Sequence, residues 1–156
     1  MPEPADIDVA SLVMLASAAT EAHVLELLRA NGHPAVRSSH GYVIQHLIDD
    51  SPTISVLASR LGISQQGASK AVAELERLGY ASRERGADGR QRRVQLTQHG
   101  HAVVADARRI RAELEAQLGE RAGGLRGDLV ALLDIVQGSA AVRDRAAPPP
   151  EGMRLG

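Results

Sequence analysis

Apolar residues in this chain recur mostly at helical spacing, interrupted once by a short stretch that alternates like strands. After Asp8 the segment VASLVMLASAA is apolar nearly all round, where a lone surface helix would show a single stripe. Two buried faces are therefore expected. Asp6 or Asp8 can cap this helix. It should run to about Ala30, with Asn31-Gly32 as its stop and Pro34 beyond. A second helix is expected over residues 38–50, SSHGYVIQHLIDD. Thr53 can cap a third, with Leu57 and Leu61 pointing inward and Gly62 as its stop. Ser64 can cap a fourth, whose Ala68, Ala71, Val72, Leu75 and Leu78 keep helical spacing until Gly79.

The period then changes. Tyr80 to Arg85 and Arg92 to Thr97 read as two strands, with Gly86-Ala87-Asp88-Gly89 supplying turn residues. Thr97 can cap a fifth helix, along which Val103, Ala107, Ile110, Leu114 and Leu118 recur. Gly123-Gly124 should break that pattern. Leu125, Leu129, Leu132, Leu133 and Val136 then predict a last amphipathic helix, to about Val142. The tail from Ala146, with prolines at 148–150, reads as disordered. The expected fold class is thus mainly α with a small β-hairpin: a winged helix-turn-helix with N- and C-terminal dimerisation helices. Residues 1–145 form one domain, with the winged unit at about 38–100 and the dimerisation helices at 8–31 and 98–142.

A helix-turn-helix followed by a hairpin sets one helix in a DNA major groove with a finger beside it. Gln65, Gln66, Ser69 and Lys70 lie mostly off the apolar stripe of the fourth helix, near its start. Gln can bond adenine bidentately, and Ser and Lys can reach bases or phosphates. An ordinary solvated helix face would look similar. The hairpin adds Arg83, Arg85, Arg90, Arg92 and Arg93, five arginines in eleven residues. Arg gains from the enhanced negative potential of a narrow minor groove. With the cap residues Thr53 and Ser64, and Asp88 in the turn, these make the candidate DNA-contacting set.

Composition narrows the alternatives. The 156 residues are 44% apolar, enough for one domain with a core, yet include no Phe or Trp and only two Tyr. Scarce aromatics argue against a single-strand binder that stacks bases on rings. With zero Cys there is no disulfide, thiolate zinc site or cysteine nucleophile. No uncharged apolar run reaches eighteen residues and no leader pattern is seen, so a cytoplasmic protein without a membrane partner is expected. The net charge of −1 is unevenly spread. Residues 60–97 hold eight Lys/Arg against four Asp/Glu, and residues 1–59 hold two against seven. Basic charge thus gathers on the candidate reading head, as phosphate binding requires.

Thr53 to Gly100 also resembles the multiple-antibiotic-resistance regulator (MarR) family of bacterial transcription factors. The likeness rests on LASRLGIS, a reading helix ending AVAELERLGY, the wing pattern Asp88-Gly89-Arg90, and VQLTQHG at 94–100. A looser likeness in helix layout covers residues 8–142. The resemblance implies that Arg90 enters the minor groove and that Asp88 helps hold the wing. Gly89 stands where many relatives carry a larger residue. The flanking helices, more than a lone winged helix needs, point to a homodimer on a pseudo-palindromic operator rather than a monomeric bundle core, and the resemblance implies a small-molecule effector near the junction of scaffold and reading head. His40, Tyr42, Gln45 and His46 are the candidate ligand residues there, or else core groups with satisfied hydrogen bonds. His40/His46 and His99/His101 lack the spacing of a helical two-His metal site, so no metal or other cofactor is expected. No phosphate loop, G-x-S-x-G or H-E-x-x-H motif points to an enzyme. The expected function is sequence-specific double-stranded DNA binding by a ligand-responsive repressor. The alternative is a winged helix used for protein–protein contact.

Overall fold

The computed structural model describes residues 6–86, 89 and 92–137. In chain order the elements are α1 (Val9–Ala30), α2 (Ser38–Ile44), α3 (Ile54–Leu61), α4 (Gln65–Arg77), β1 (Ala81–Arg85), β2 (Arg92–Leu96), α5 (Gln98–Leu118) and α6 (Arg121–Gln137). The fold is mainly helical with one two-stranded antiparallel hairpin, in which Arg83 opposes Val94 and Arg85 opposes Arg92.

Side-chain caps fix where most helices begin. Asp8, rather than Asp6, starts α1: its carboxylate accepts the Ser11 N–H at 3.0 Å and the Ser11 hydroxyl at 2.7 Å. Thr53 accepts the Val56 N–H, Ser64 the Gly67 N–H, and Thr97 the Gly100 N–H. Two stops use left-handed glycines, Gly62 at φ 65° and Gly79 at φ 81°. After Gly79 the Tyr80 N–H closes back on the Leu75 carbonyl at 2.8 Å. Tyr80 is therefore spent on ending α4, and Thr97 on capping α5, so each strand is one residue shorter than its sequence pattern.

The core lies where α3, α4 and the hairpin meet α2 and α5. Leu57, Leu61, Ala68, Val72, Leu75, Val94 and Ile110 are buried in it. Burying side chains of this size contributes about 1.5–3 kcal/mol each relative to exposure. β2 is anchored from its outer side as well. The Val94 N–H donates to the Pro52 carbonyl at 2.8 Å, and Thr53 bridges Arg93, so the entry to α3 serves as a short third strand.

Three expectations need correction. The helix over 38–50 is split: α2 ends at Ile44 and tightens into a 3-10 turn at Gln45–Leu47. Pro52 favours extended backbone before it, and the Asp50 carboxylate takes the Ser51 N–H at 2.7 Å, so no helix continues. Gly123-Gly124 does not break the C-terminal helices. The break is at Gly119, φ 56°, and α6 runs through both glycines. A left-handed backbone ends a helix, whereas a glycine in helical conformation only weakens it by about 1 kcal/mol. Finally, α1 does not have two buried faces within the chain.

Only Val24 and Leu28 of α1 are buried, packed towards α5. Met14 is 73% exposed, and Val9, Leu12 and Leu15 are open beside it. By length and mean hydropathy, 1.3, α1 would suffice to cross a membrane, but its C-terminal half belongs to the core. α6 buries nothing: Leu125, Leu129, Val130, Leu133, Ile135 and Val136 are all exposed. The expected extension of the last helix to Val142 and the proline-rich tail lie outside the described residues.

Candidate nucleic-acid interface

The turn Gly62-Ile63-Ser64 sets α4 across α3, and the amphipathic pattern of α4 decides which side it shows. Ala68, Val72 and Leu75 face the core. Gln65, Gln66 and Lys70 are therefore turned out, with Ser69 half-buried at the edge. The Gln65 amide lies 3.5 Å from the Ser55 hydroxyl and can donate to it across the helix-turn-helix. Gln66 and Lys70 carry no bond to another described residue and present their polar ends outward. Ser64 and Thr53 are committed to capping, with their helix N-termini beside the same surface.

The wing arginines divide into two kinds. Arg83 points back to α4: its guanidinium donates to the Ser69 carbonyl at 2.8 Å, reaches the Ser69 hydroxyl at 3.3 Å, and lies 3.4 Å from the Glu76 carboxylate. Arg93 donates to the Ser51 carbonyl at 3.0 Å. These two brace the wing against α4 and against the entry to α3. Arg85 and Arg92, opposite each other on the hairpin, are exposed and form no ion pair with another described residue. Asp88 and Arg90 lie outside the described residues; Gly89 holds φ 66°, a left-handed turn geometry, with its N–H on the Gly86 carbonyl.

Carboxylates neutralise part of the remaining basic charge. Asp50 holds Arg60 at 2.6 Å, and that hydrogen bond foremost, with the Ser51 N–H next, keeps its carboxyl below the usual range. Glu74 accepts from both Arg77 and Arg37, and the Arg77 hydrogen bonds foremost hold it low as well. Lys70, Arg85 and Arg92 remain as outward charge on the described face, with Gln66 between them and the turn.

The four ligand candidates differ in exposure. His40 and His46 are buried, while Tyr42 and Gln45 are half-exposed. The His40 Nδ1 accepts the Arg37 N–H at 3.2 Å, which caps α2, and its Nε2 lies 3.4 Å from the Arg37 guanidinium. Burial foremost, with the Arg37 charge next, pushes the His40 imidazole below its ordinary range, so it stays neutral. His40 thus has a capping role that its sequence context did not indicate.

A group absent from the sequence-level candidates joins the reading head to α5. His33, Tyr80, His99 and Asp106 meet there, with His33 and Tyr80 each only 2% exposed. The His33 ring lies 3.1 Å from Asp106 and 3.3 Å from the Tyr80 hydroxyl, and Tyr80 stacks on His99 with centroids 4.7 Å apart. Single buried histidines give no spacing signal, and these residues are far apart in the chain.

Comparison with known proteins places this geometry. The MarR family model matches residues 36–92. A mutant MepR of Staphylococcus aureus bound to an oligodeoxyribonucleotide is similar in structure, with TM-score 0.61 and 20% identity over 85% of this chain and 100% of that one. A transcriptional regulator (MarR family) from Rhodococcus sp. RHA1 has TM-score 0.57 at 19% identity, covering 86% of this chain and 96% of its own. The YusO protein of Bacillus subtilis has TM-score 0.59 at 19% identity, covering 83% and 94%. No curated protein sequence matches the chain. Residues 36–92 of this chain thus match the MarR family model, within a chain that shares the fold of solved MarR-family structures.

Proposed function

We propose that this chain is a sequence-specific double-stranded DNA-binding transcriptional regulator that acts as a homodimer and represses by occupying its operator. The observation that carries this reading is the exposed polar start of α4, Gln66 and Lys70, beside a wing root bearing outward Arg85 and Arg92. A helix of this kind fits a major groove, and the hairpin beside it fits the adjacent backbone or minor groove. Among structural neighbours, MepR has been seen in complex with DNA, which supports the same use of a shared fold.

The open apolar faces of α1 and α6 support the dimer. Contiguous exposed apolar surface on a water-soluble domain marks an interaction site. A two-fold dimer presents two reading helices to half-sites about one helical turn apart, on the order of 10 bp. The unit of assembly is the single domain at 1–145 with a tail at 146–156. An effector acting near α2 is the remaining element. MepR has been seen bound to ethidium bromide, and here His40, Tyr42, Gln45 and His46 are the candidate residues, on α2 and the turn that follows it, with α2 packed on α4.

The test is selection of bound fragments from random duplex DNA, followed by a salt titration of the recovered sequence. A pseudo-palindromic motif bound with steep salt dependence is expected. Failure to bind any duplex at low salt would reject the reading in favour of a protein-binding winged helix.

A further inference from the structure

Arg83 stands near the root of the hairpin, where β1 leaves α4, and its guanidinium is turned onto that helix. Its Nη2 donates to the Ser69 carbonyl at 2.8 Å and reaches the Ser69 hydroxyl at 3.3 Å, while its Nε lies 3.4 Å from a Glu76 carboxylate oxygen. The Arg83 and Glu76 side chains are 23% and 30% exposed, so solvent screens the pair only in part. A planar guanidinium that bonds one residue of α4 and pairs with another fixes direction as well as distance. Opposite residues of an antiparallel pair share a face, as do residues two apart on a strand. Arg83 opposes the buried Val94, and Arg85 opposes Arg92 further out. Arg85 and Arg92 therefore lie on the same hairpin face as Arg83, about 7 Å beyond it, and both are exposed. On α4, exposed Lys70 directly follows Ser69, and exposed Gln66 lies one turn before it. The contact of Arg83 with Ser69 thus ties the outward cations of the wing to the outward groups of the reading helix.

We infer, resting on the DNA-binding reading above, that Arg83 is a positioning residue that fixes the offset between wing and reading helix, with Ser69 as its anchor rather than a base contact. A helix in a major groove and a hairpin beside it meet the duplex at separate places. A fixed offset sets how many base pairs lie between the core positions read by α4 and the flanking stretch met by the wing. A·T-rich flanks narrow the minor groove and attract arginine, so such a flank favours a wing that arrives at one place. A wing free to swing still meets phosphate, which runs uniformly along the duplex, but at no set distance from the core.

Two substitutions loosen the brace from opposite sides. Arg83→Ala removes the guanidinium, and Glu76→Gln removes only the carboxylate charge. Selection from random duplex DNA with the full chain, then affinities for operators with A·T-rich or G·C-rich flanks, gives the readout. Both variants should keep the core motif and lose flank preference, by about fivefold in Arg83→Ala. Arg83→Lys, whose ammonium can still donate to the Ser69 carbonyl, should recover part of it. Ser69→Ala should keep the core motif, since the carbonyl remains. If Arg83 met phosphate itself, Arg83→Ala would lower the salt slope by about one unit with flank preference intact, and Glu76→Gln would bind all sequences more tightly. If Arg83 only supported the fold, core and flank preference would weaken in proportion. Equal flank preference in wild type, Arg83→Ala and Glu76→Gln would overturn the inference.

A second readout needs no DNA. The chain has no cysteine, so spin labels on Lys70→Cys and Arg92→Cys mark the helix and the wing without competition. Diluted with unlabelled chain, this pair should give a narrow distance distribution, broadened by Arg83→Ala and by Glu76→Gln. A width unchanged in both variants overturns the fixed offset whatever the DNA result. A wild type that binds no duplex at low salt yet shows the Arg83-dependent width would refute the DNA reading and support the brace.

Discussion

Gly100, in the first turn of α5, lies against the backbone of Tyr80 so closely that a Cβ there would stand 2.1 Å from the Tyr80 carbonyl oxygen. The same carbonyl accepts the Thr97 N–H at 3.0 Å, and the Thr97 hydroxyl donates to the Gly79 carbonyl at 2.5 Å. The start of α5 is thus joined to the end of α4 by backbone contact at Gly100 and by the Thr97 hydroxyl.

Gly100→Ala should destabilise the protein by about 3 kcal/mol, because the obstacle is backbone and cannot swing aside. Helix propensity alone predicts the opposite sign, a gain of about 1 kcal/mol. Urea unfolding separates the two, and a midpoint at or above wild type would refute the close approach.

Replacing Gln66 with Ala should relax preference at one or two operator positions, with a loss of about 1–3 kcal/mol if the contact is bidentate. Lys70→Ala should weaken binding to all sequences alike and lower the salt slope by about one unit. Selection from random DNA followed by salt titration reads both. An unchanged motif at unchanged affinity would remove Gln66 from the reading set.

Arg83 and Arg85 should behave differently although two residues apart. Arg83→Ala removes bonds to Ser69 and Glu76 and should cost about 1–2 kcal/mol of stability with little change in salt slope. Arg85→Ala should leave stability alone and lower the slope by about one unit. The reverse pattern would mean that Arg83 leaves α4 to meet phosphate. From its place in the sequence, Arg90→Ala should resemble Arg85→Ala.

Met14→Glu or Ile135→Glu should shift the protein towards monomer, since these side chains are 73% and 82% exposed within one chain. Light scattering at micromolar concentration checks this. A variant that stays dimeric would place the interface elsewhere.

His40 predicts a pH dependence of stability. Burial, and then Arg37, lower its affinity for a proton in the folded state, while Glu74 acts the other way. The unfolded chain takes up that proton near the ordinary value of 6.5. Stability is therefore full above about 6.5 and declines as pH falls through and below it, until the folded ring also protonates. An imidazole NMR titration should place the His40 midpoint below 6.5, and His40→Gln should flatten part of the decline in urea unfolding. A midpoint above 6.5 would contradict the burial argument.

Local signals made much of this fold legible in the sequence. Asp8, Thr53, Ser64 and Thr97 each bond a backbone N–H three residues on, so a capping residue and the start of its helix are read together. Gly62 and Gly79 stop helices for an equally local reason. What escaped depends on residues far apart in the chain. His33 and Asp106 are separated by 73 positions, and neither has a periodic neighbour to mark it. The bridge between Thr53 and Arg93 joins two of the candidate DNA-contacting residues at a sheet edge. The count of wing arginines was plain, but which of them turn inward depends on where Ser69, Glu76 and Ser51 come to lie. The misplaced break at Gly123-Gly124 has another cause: composition shows that a glycine can leave the helix, not that it does.

The joint between Tyr80 and Gly100 also sets a mechanical gain. α5 has 21 residues and is rigidly seated at its first turn, so it acts as a lever roughly 30 Å long. A tilt of about 5° at the joint moves its far end by about 3 Å, close to the rise of one DNA base pair. Run in reverse, a displacement of that size where α5 meets α6 turns the reading head by the same few degrees. For a rod-like α5, a small shift at its far end thus corresponds to a rotation of a few degrees at the end of α4.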